Sequence, residues 1–270
     1  PSRGLGDVYK RQLWHVPVIV RAQVGSTDVE KRVLLEGNQT EIDLGGAPEW
    51  VVVNAGGLGF YRVTYETDLL DALSKRALDV LSPPERYGLV DDTWSSVLAG
   101  NIDAETHLSL ITSLVAETDL AVWQRMLSSL EHLYSIADER GRSRLQILIR
   151  DLSSTALGVL GLEPLDNEPD LDRELRALLF ASAGTTGADK SVRELAEGIF
   201  ADSNAGKSTE PNLTAAAIRV VAAAGGQQTH SELVALYREA PTPQLEVRYL
   251  MALLELEQVD LFKELSLIHI

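Results

Sequence analysis

Four histidines lie inside the chain, His15, His107, His132 and His230, with a fifth, His269, next to the last residue; there is no cysteine. A protein zinc site needs a close set of imidazole, thiolate or carboxylate donors, such as two histidines one helical turn apart with a glutamate between them. No pair of these histidines has that spacing. Glu131-His132 sits on a helix-like segment already marked by a core stripe, so a packing or surface role is expected. The nucleophile elbow G-x-S-x-G is absent. Asp91-Asp92 comes closest to paired carboxylates, but adjacent helical side chains point about 100° apart. A structural ion pair of Asp91 with Arg86, in the preceding turn, is the expectation.

Two glycine segments invite a phosphate-binding reading. Ala201-Asp-Ser-Asn-Ala-Gly206-Lys207-Ser208 fits a relaxed phosphate-loop pattern with Ala for the first Gly. Such a loop needs a preceding strand to present its amides at the next helix N-terminus. Val192 to Phe200 instead reads as an amphipathic helix, and Pro211 follows at once, so a solvated inter-helix loop is expected. Gly56-Gly57-Leu58-Gly59 lies between strand-like runs, where bulge or hairpin geometry explains the glycines. No residue is therefore assigned to catalysis, to a cofactor or to a metal.

Composition narrows the class. The chain carries 24 Lys+Arg against 40 Asp+Glu. Nucleic-acid partners need basic patches, and anionic membranes likewise attract basic segments; neither is expected. No apolar run approaches the ~20 residues that cross a bilayer. Without cysteine there is neither a disulfide framework nor a thiolate site.

The two ends stand apart. Asp7 to Gln12 can be encoded by GAT GTG TAT AAG AGA CAG, whose reverse complement translates to Leu-Ser-Leu-Ile-His-Ile, the run Leu265 to Ile270. Both resemble a translated sequencing adaptor. Residues 1–12 and 265–270 are accordingly expected to be an adaptor-like scar. Without them the charged residues stand at 21 basic against 39 acidic.

The elements between follow from periodicity. Trp14, Val16, Val18, Val20, Ala22 and Val24 alternate onto one strand face, and Pro17, with no amide donor, suggests an edge strand. Runs 31–36, 40–44 and 49–54 fit further strands, with turns at Gly37-Asn38 and Gly45-Gly46. Residues 60–65 continue the β-like pattern. From residue 66 onward, apolar stripes at helical spacing give about ten short amphipathic helices. Ser82-Pro-Pro-Glu85 is a strong helix start, and Val90, Trp94, Val97 and Leu98 form the stripe after it. Leu171, Leu175, Leu178 and Leu179 follow an acid-rich break at 163–170, and Val192, Leu195 and Ile199 come later. The expected fold is α+β and multidomain. A small antiparallel β-sandwich over 13–65, lacking its first strand, precedes an all-α, HEAT/armadillo-like helical solenoid over 66–264; a compact bundle is the alternative.

The order of several segments carries a more specific resemblance. Trp14-His-Val-Pro17 is followed by Trp50-Val-Val-Val-Asn54, Gly59-Phe60-Tyr61-Arg62-Val63-Thr64-Tyr65, Leu81-Ser-Pro-Pro-Glu85-Arg86, Leu89-Val-Asp91-Asp92 and a segment ending in Trp123. The series resembles the C-terminal region, β-sandwich plus helical cap, of the aminopeptidase N family of zinc metallopeptidases. The resemblance implies a zinc-dependent hydrolase that removes N-terminal residues from peptides. The family's zinc-binding and amine-binding motifs do not occur here, so zinc is expected in a missing catalytic domain. This fragment is expected to be inactive alone and to cap the active-site chamber and govern peptide access. Its expected partners are that catalytic domain and peptides, in the cytoplasm. Cut from its neighbour, such a fragment is expected to expose apolar surface. The alternative is a non-enzymatic protein-interaction scaffold of the same architecture.

Overall fold

The computed structural model describes residues 15–255. Trp14 and both scar-like ends lie outside them. The chain divides into two compact units, residues 1–116 and 117–270.

In the first unit, β1 (Val16–Val24) and β2 (Thr27–Leu35) form an antiparallel hairpin, and β3 (Trp50–Val53) adds on the other side of β1. The strand order is β2-β1-β3. Val18, Val20 and Ala22 share a core with Val51 and Val53, as the alternation requires. Gly25, at φ 58°, makes the two-residue turn between Val24 and Thr27. The second strand therefore begins earlier than residue 31.

β1 is central, not the expected edge strand. Pro17 is tolerated because β3 pairs only with Val20 to Gln23, leaving one side of β1 open at Pro17. Residues 40–44 and 60–65 are not strands. At 40–44 the Asp43 carboxylate takes the Gly45 amide at 2.8 Å and Gly45 turns the chain at φ 82°. Ile42 and Leu44 still cover the sheet with their side chains.

Four helices complete this unit: α1 (Thr67–Ser74), α2 (Ala77–Val80), α3 (Pro83–Leu98) and α4 (Ala104–Ser113). In α3 the Glu85 carboxylate accepts from the Ser82 amide at 2.8 Å, the capping geometry that the sequence predicts. Leu89, Val90 and Trp94 are buried, and His107 of α4 packs beside Trp94 with its Nδ1 3.0 Å from the Thr93 hydroxyl.

The second unit holds α5 (Leu120–Ile136), α6 (Glu139–Leu160), α7 (Asp170–Gly184), α8 (Lys190–Asn204), α9 (Pro211–Ala224), α10 (Gln227–Arg238) and α11 (Pro243–Leu253). Helices pack on their neighbours and also on next neighbours, α5 on α7, α7 on α9 and α9 on α11. Trp123 is buried and its indole N–H caps the Glu117 carbonyl at 2.9 Å. The acid-rich break is tied down by the buried Arg176: its Nη1 donates to Glu168 at 2.8 Å and its Nε to the Gly161 carbonyl at 2.7 Å. Among the described residues no helix is long and apolar enough to cross a membrane.

Candidate functional site

Asn54, Gly59 to Arg62, Glu85, Arg86 and Asp91, among the residues singled out by the sequence, come together in the first unit, between the end of β3 and α3. Trp50 and Arg21 lie on neighbouring strands, and the Arg21 guanidinium rests 5.2 Å from the Trp50 ring. Arg21 Nη2 then donates to the Val80 carbonyl at 2.9 Å and to Glu85 Oε2 at 2.8 Å. Glu85 Oε1 accepts the Gly56 amide at 2.9 Å, while Oε2 also takes the Ser82 hydroxyl at 2.9 Å. Burial alone would raise this carboxyl's pKa. The Gly56 and Ser82 amides and Arg21 outweigh it, and the pKa falls below its ordinary value.

Asn54 adopts a left-handed conformation at φ 70°, and its side chain clamps Gly59 in both directions. Oδ1 takes the Gly59 amide at 2.6 Å and Nδ2 donates to the Gly59 carbonyl at 3.0 Å. A Cβ on Gly59 would lie 2.1 Å from Tyr61 Cε1, so any larger residue would have to displace the Tyr61 ring. The glycines of residues 56–59 thus serve a tight loop.

Beyond Gly59, Arg62 ion-pairs with Asp91 and reaches Asp92 Oδ1 at 3.2 Å. One guanidinium nitrogen, Nη1, serves both adjacent carboxylates, so Asp91 and Asp92 converge on Arg62 although neighbouring helical side chains leave the helix about 100° apart. Asp92 Oδ2 accepts the Val63 amide at 3.2 Å. Burial dominates at Asp92 and raises its pKa despite these bonds. Tyr65 completes the fastening: its hydroxyl accepts the Val53 amide at 2.9 Å, and burial pushes its pKa up. Arg86 Nη1 donates to the Leu81 carbonyl at 2.6 Å.

These side chains frame an open cleft of about 380 Å³ lined by Asn54, Gly59, Phe60, Tyr61, Arg62, Pro84, Tyr87, Asp91 and Asp92. Phe60 is fully exposed. Of the sequence's family-like positions, the cleft gathers Asn54, Gly59, Phe60, Tyr61, Arg62 and Asp91, with Glu85 and Arg86 behind it. Pro17 stands apart on β1, and Trp123 belongs to the second unit. Sequence reasoning missed Arg21 and Tyr87. A lone arginine in an alternating apolar strand is the signal that could have found Arg21.

Among the described residues no group of three or more His, Asp or Glu side chains is placed to hold a metal ion. The bonds here fasten a loop rigidly and leave an aromatic ring in water.

The family profile described as ERAP1-like C-terminal domain matches residues 50–267. The puromycin-sensitive aminopeptidase of Caenorhabditis elegans is 26% identical over 96% of this chain and 28% of its own length. Aminopeptidase 2 of Candida albicans is 31% identical over 79% of this chain and 24% of its own. The alanine/arginine aminopeptidase of Saccharomyces cerevisiae is 25% identical, covering 96% and 30%. The chain thus spans under a third of the length of each of these relatives.

Proposed function

The chain belongs to the ERAP1-like C-terminal domain family, the C-terminal region of the aminopeptidase N family, and on that premise we propose that it is the non-catalytic part of a zinc-dependent aminopeptidase. The observation that carries this reading is a match along nearly the whole chain to aminopeptidases of which it covers only 28% in the first case. Zinc would be held elsewhere in the parent, because the described residues here offer no set of donors that fits it. No step of hydrolysis is assigned to them.

In this reading the sheet of β1–β3 is part of a β-sandwich completed by other strands of the parent. The next-neighbour packing of α5 through α11 supports a helical-repeat cap. The cap would bound the chamber around the scissile bond and limit which peptides enter. Its partners would be the parent's catalytic region and peptides, in the cytoplasm. A parent fractionating outside the cytoplasm would overturn that location.

The test compares the parent's catalytic region alone with the same region plus this chain, on peptides of increasing length. Aminopeptidase activity should require the catalytic region, and adding this chain should change the dependence of rate on peptide length. Hydrolysis by this chain alone, or an unchanged length profile in the presence of a formed complex, would overturn the proposal.

A further inference from the structure

A cavity of about 440 Å³ opens in the second unit, where α8 and α10 both pack on α9. Its size falls within the roughly 300–1,000 Å³ of small-molecule sites. Phe200 and Ala201 of α8 and Val221 and Ala224 of α9 give it an apolar lining, and Phe200 and Val221 continue into the core around Ile218 and Leu233. Glu197 lies one helical turn before Ala201 on the same face of α8, and Glu232 lines the cavity from α10. α9 ends at Ala224, and the last carbonyls of a helix carry partial negative charge. No Lys, Arg or His among the described residues lines the cavity, and among them neither glutamate has an ion-pair partner.

We propose that this cavity binds a linear aliphatic diamine. The apolar lining covers the methylene chain, and Glu197 and Glu232, from two different helices, each take one ammonium group. The end of α9 adds to the negative potential. Charge, apolar surface and charge is the complement of a carbon chain with a cation at each end. A monoamine leaves one carboxylate unused, and a neutral chain of the same length desolvates both glutamates without pairing either. The net charge of −16 draws any cation toward this chain, so selectivity has to come from the cavity and not from the overall field.

The test is titration calorimetry of this chain with cadaverine, alongside n-pentylamine and the diol of the same length. Cadaverine should bind saturably, n-pentylamine roughly tenfold or more weakly, and the diol not at all. The double variant Glu197→Gln, Glu232→Gln changes two exposed positions, so circular dichroism should match the wild type while affinity for cadaverine falls roughly tenfold or more. Ala201→Phe, also at an exposed position, fills the cavity at unchanged charge and should cause a loss of the same order. The double variant Glu163→Gln, Asp166→Asn removes as much charge from the exposed acid-rich break and should bind like the wild type. Equal losses in the two double variants would show that net charge alone attracts the diamine, and would overturn the proposal. Undiminished binding by Ala201→Phe, equal binding of n-pentylamine and cadaverine, or no saturable heat with the wild type would overturn it as well.

Discussion

Arg21 Nη2 lies 2.8 Å from Glu85 Oε2, joining the central strand of the sheet to the first turn of α3 across 64 residues of sequence. Arg21 is about a quarter exposed and Glu85 almost wholly buried. The pair is therefore less a surface ion pair than the centre of a polar knot. Its other strands are the amides of Gly56 and Ser82 and the carbonyl of Val80. The knot fixes where β3 hands the chain to the Asn54–Gly59 loop, and through that loop it fixes Phe60.

Glu85→Ala should therefore cost about 3 kcal/mol of stability, because it strands two amides and a partly buried guanidinium at once. Glu85→Gln keeps one acceptor and should cost less. Urea unfolding measures both. A loss below about 0.5 kcal/mol for the alanine variant, as at an ordinary surface position, would show that water replaces the knot without penalty.

Two glycines should respond in opposite directions to the same substitution. Gly59→Ala drives a Cβ to within 2.1 Å of Tyr61 Cε1 and 2.8 Å of Asn54 Oδ1. Overpacking of that kind costs roughly 1–3 kcal/mol. Gly198 sits inside α8 with nothing within 4 Å of an added Cβ. There alanine should stabilise by about 0.5–1 kcal/mol through helix propensity and a restricted unfolded chain. Equilibrium unfolding of the two variants checks the pair; a Gly59→Ala protein as stable as wild type would refute the steric account.

Which parts of this were legible follows from how local each cause is. The alternation from Val16 to Val24 and the Ser82 to Glu85 cap are written within a few residues, and both appear in the structure. The α+β class and the family resemblance were legible for the same reason. Arg21 was not read, since its partner is 64 residues away and nothing local marks it. The Gly25-Ser26 turn is a local signal, and it starts the second strand at Thr27 rather than at residue 31. Thr40–Leu44 alternates like a strand, but ladder partners are decided by topology. Leu98, Leu171 and Leu195 fall on helical stripes yet are 60%, 63% and 45% exposed, because a stripe says which face is apolar and not how wide its cover is. Asp91 pairs with Arg62, a partner 29 residues away that spacing on its own helix does not indicate.

Nucleotide should not bind at Gly206-Lys207-Ser208. The Gly206 and Lys207 amides already donate to the Ser203 and Asp202 carbonyls at 3.0 Å, at the C-terminal end of α8. That end carries partial negative charge and repels phosphate. Lys207 Nζ is paired with Asp202 at 2.6 Å on the exposed surface. Titration with ATP should give no saturable heat, and Lys207→Ala should change stability by less than about 0.5 kcal/mol. Stoichiometric micromolar binding abolished by Lys207→Ala would sink this reading.

Acidity should act on Glu85 and Asp92 in opposite senses, although both are buried carboxylates at one site. The folded state holds Glu85 below its ordinary 4.5, because amide and guanidinium bonds outweigh burial. Its stabilisation is therefore present above the unfolded pKa and lost as pH falls through the folded one. Asp92 runs the other way. Burial outweighs Arg62 and the Val63 amide and lifts it above 3.8. The stability tied to its proton is present below the unfolded pKa and lost as pH rises through the folded one. Each carboxylate can be silenced by its isosteric amide. On acidification from pH 6 to pH 3, wild type should lose more stability than Glu85→Gln, so the gap between them narrows. On raising pH over the same range, wild type should lose stability relative to Asp92→Asn, so that difference shifts in favour of the variant. Urea midpoints at several pH values decide between these slopes and their opposites. Two slopes of the same sign would mean that hydrogen bonding, rather than burial, governs Asp92, and that Arg62 holds it as firmly as Arg21 holds Glu85.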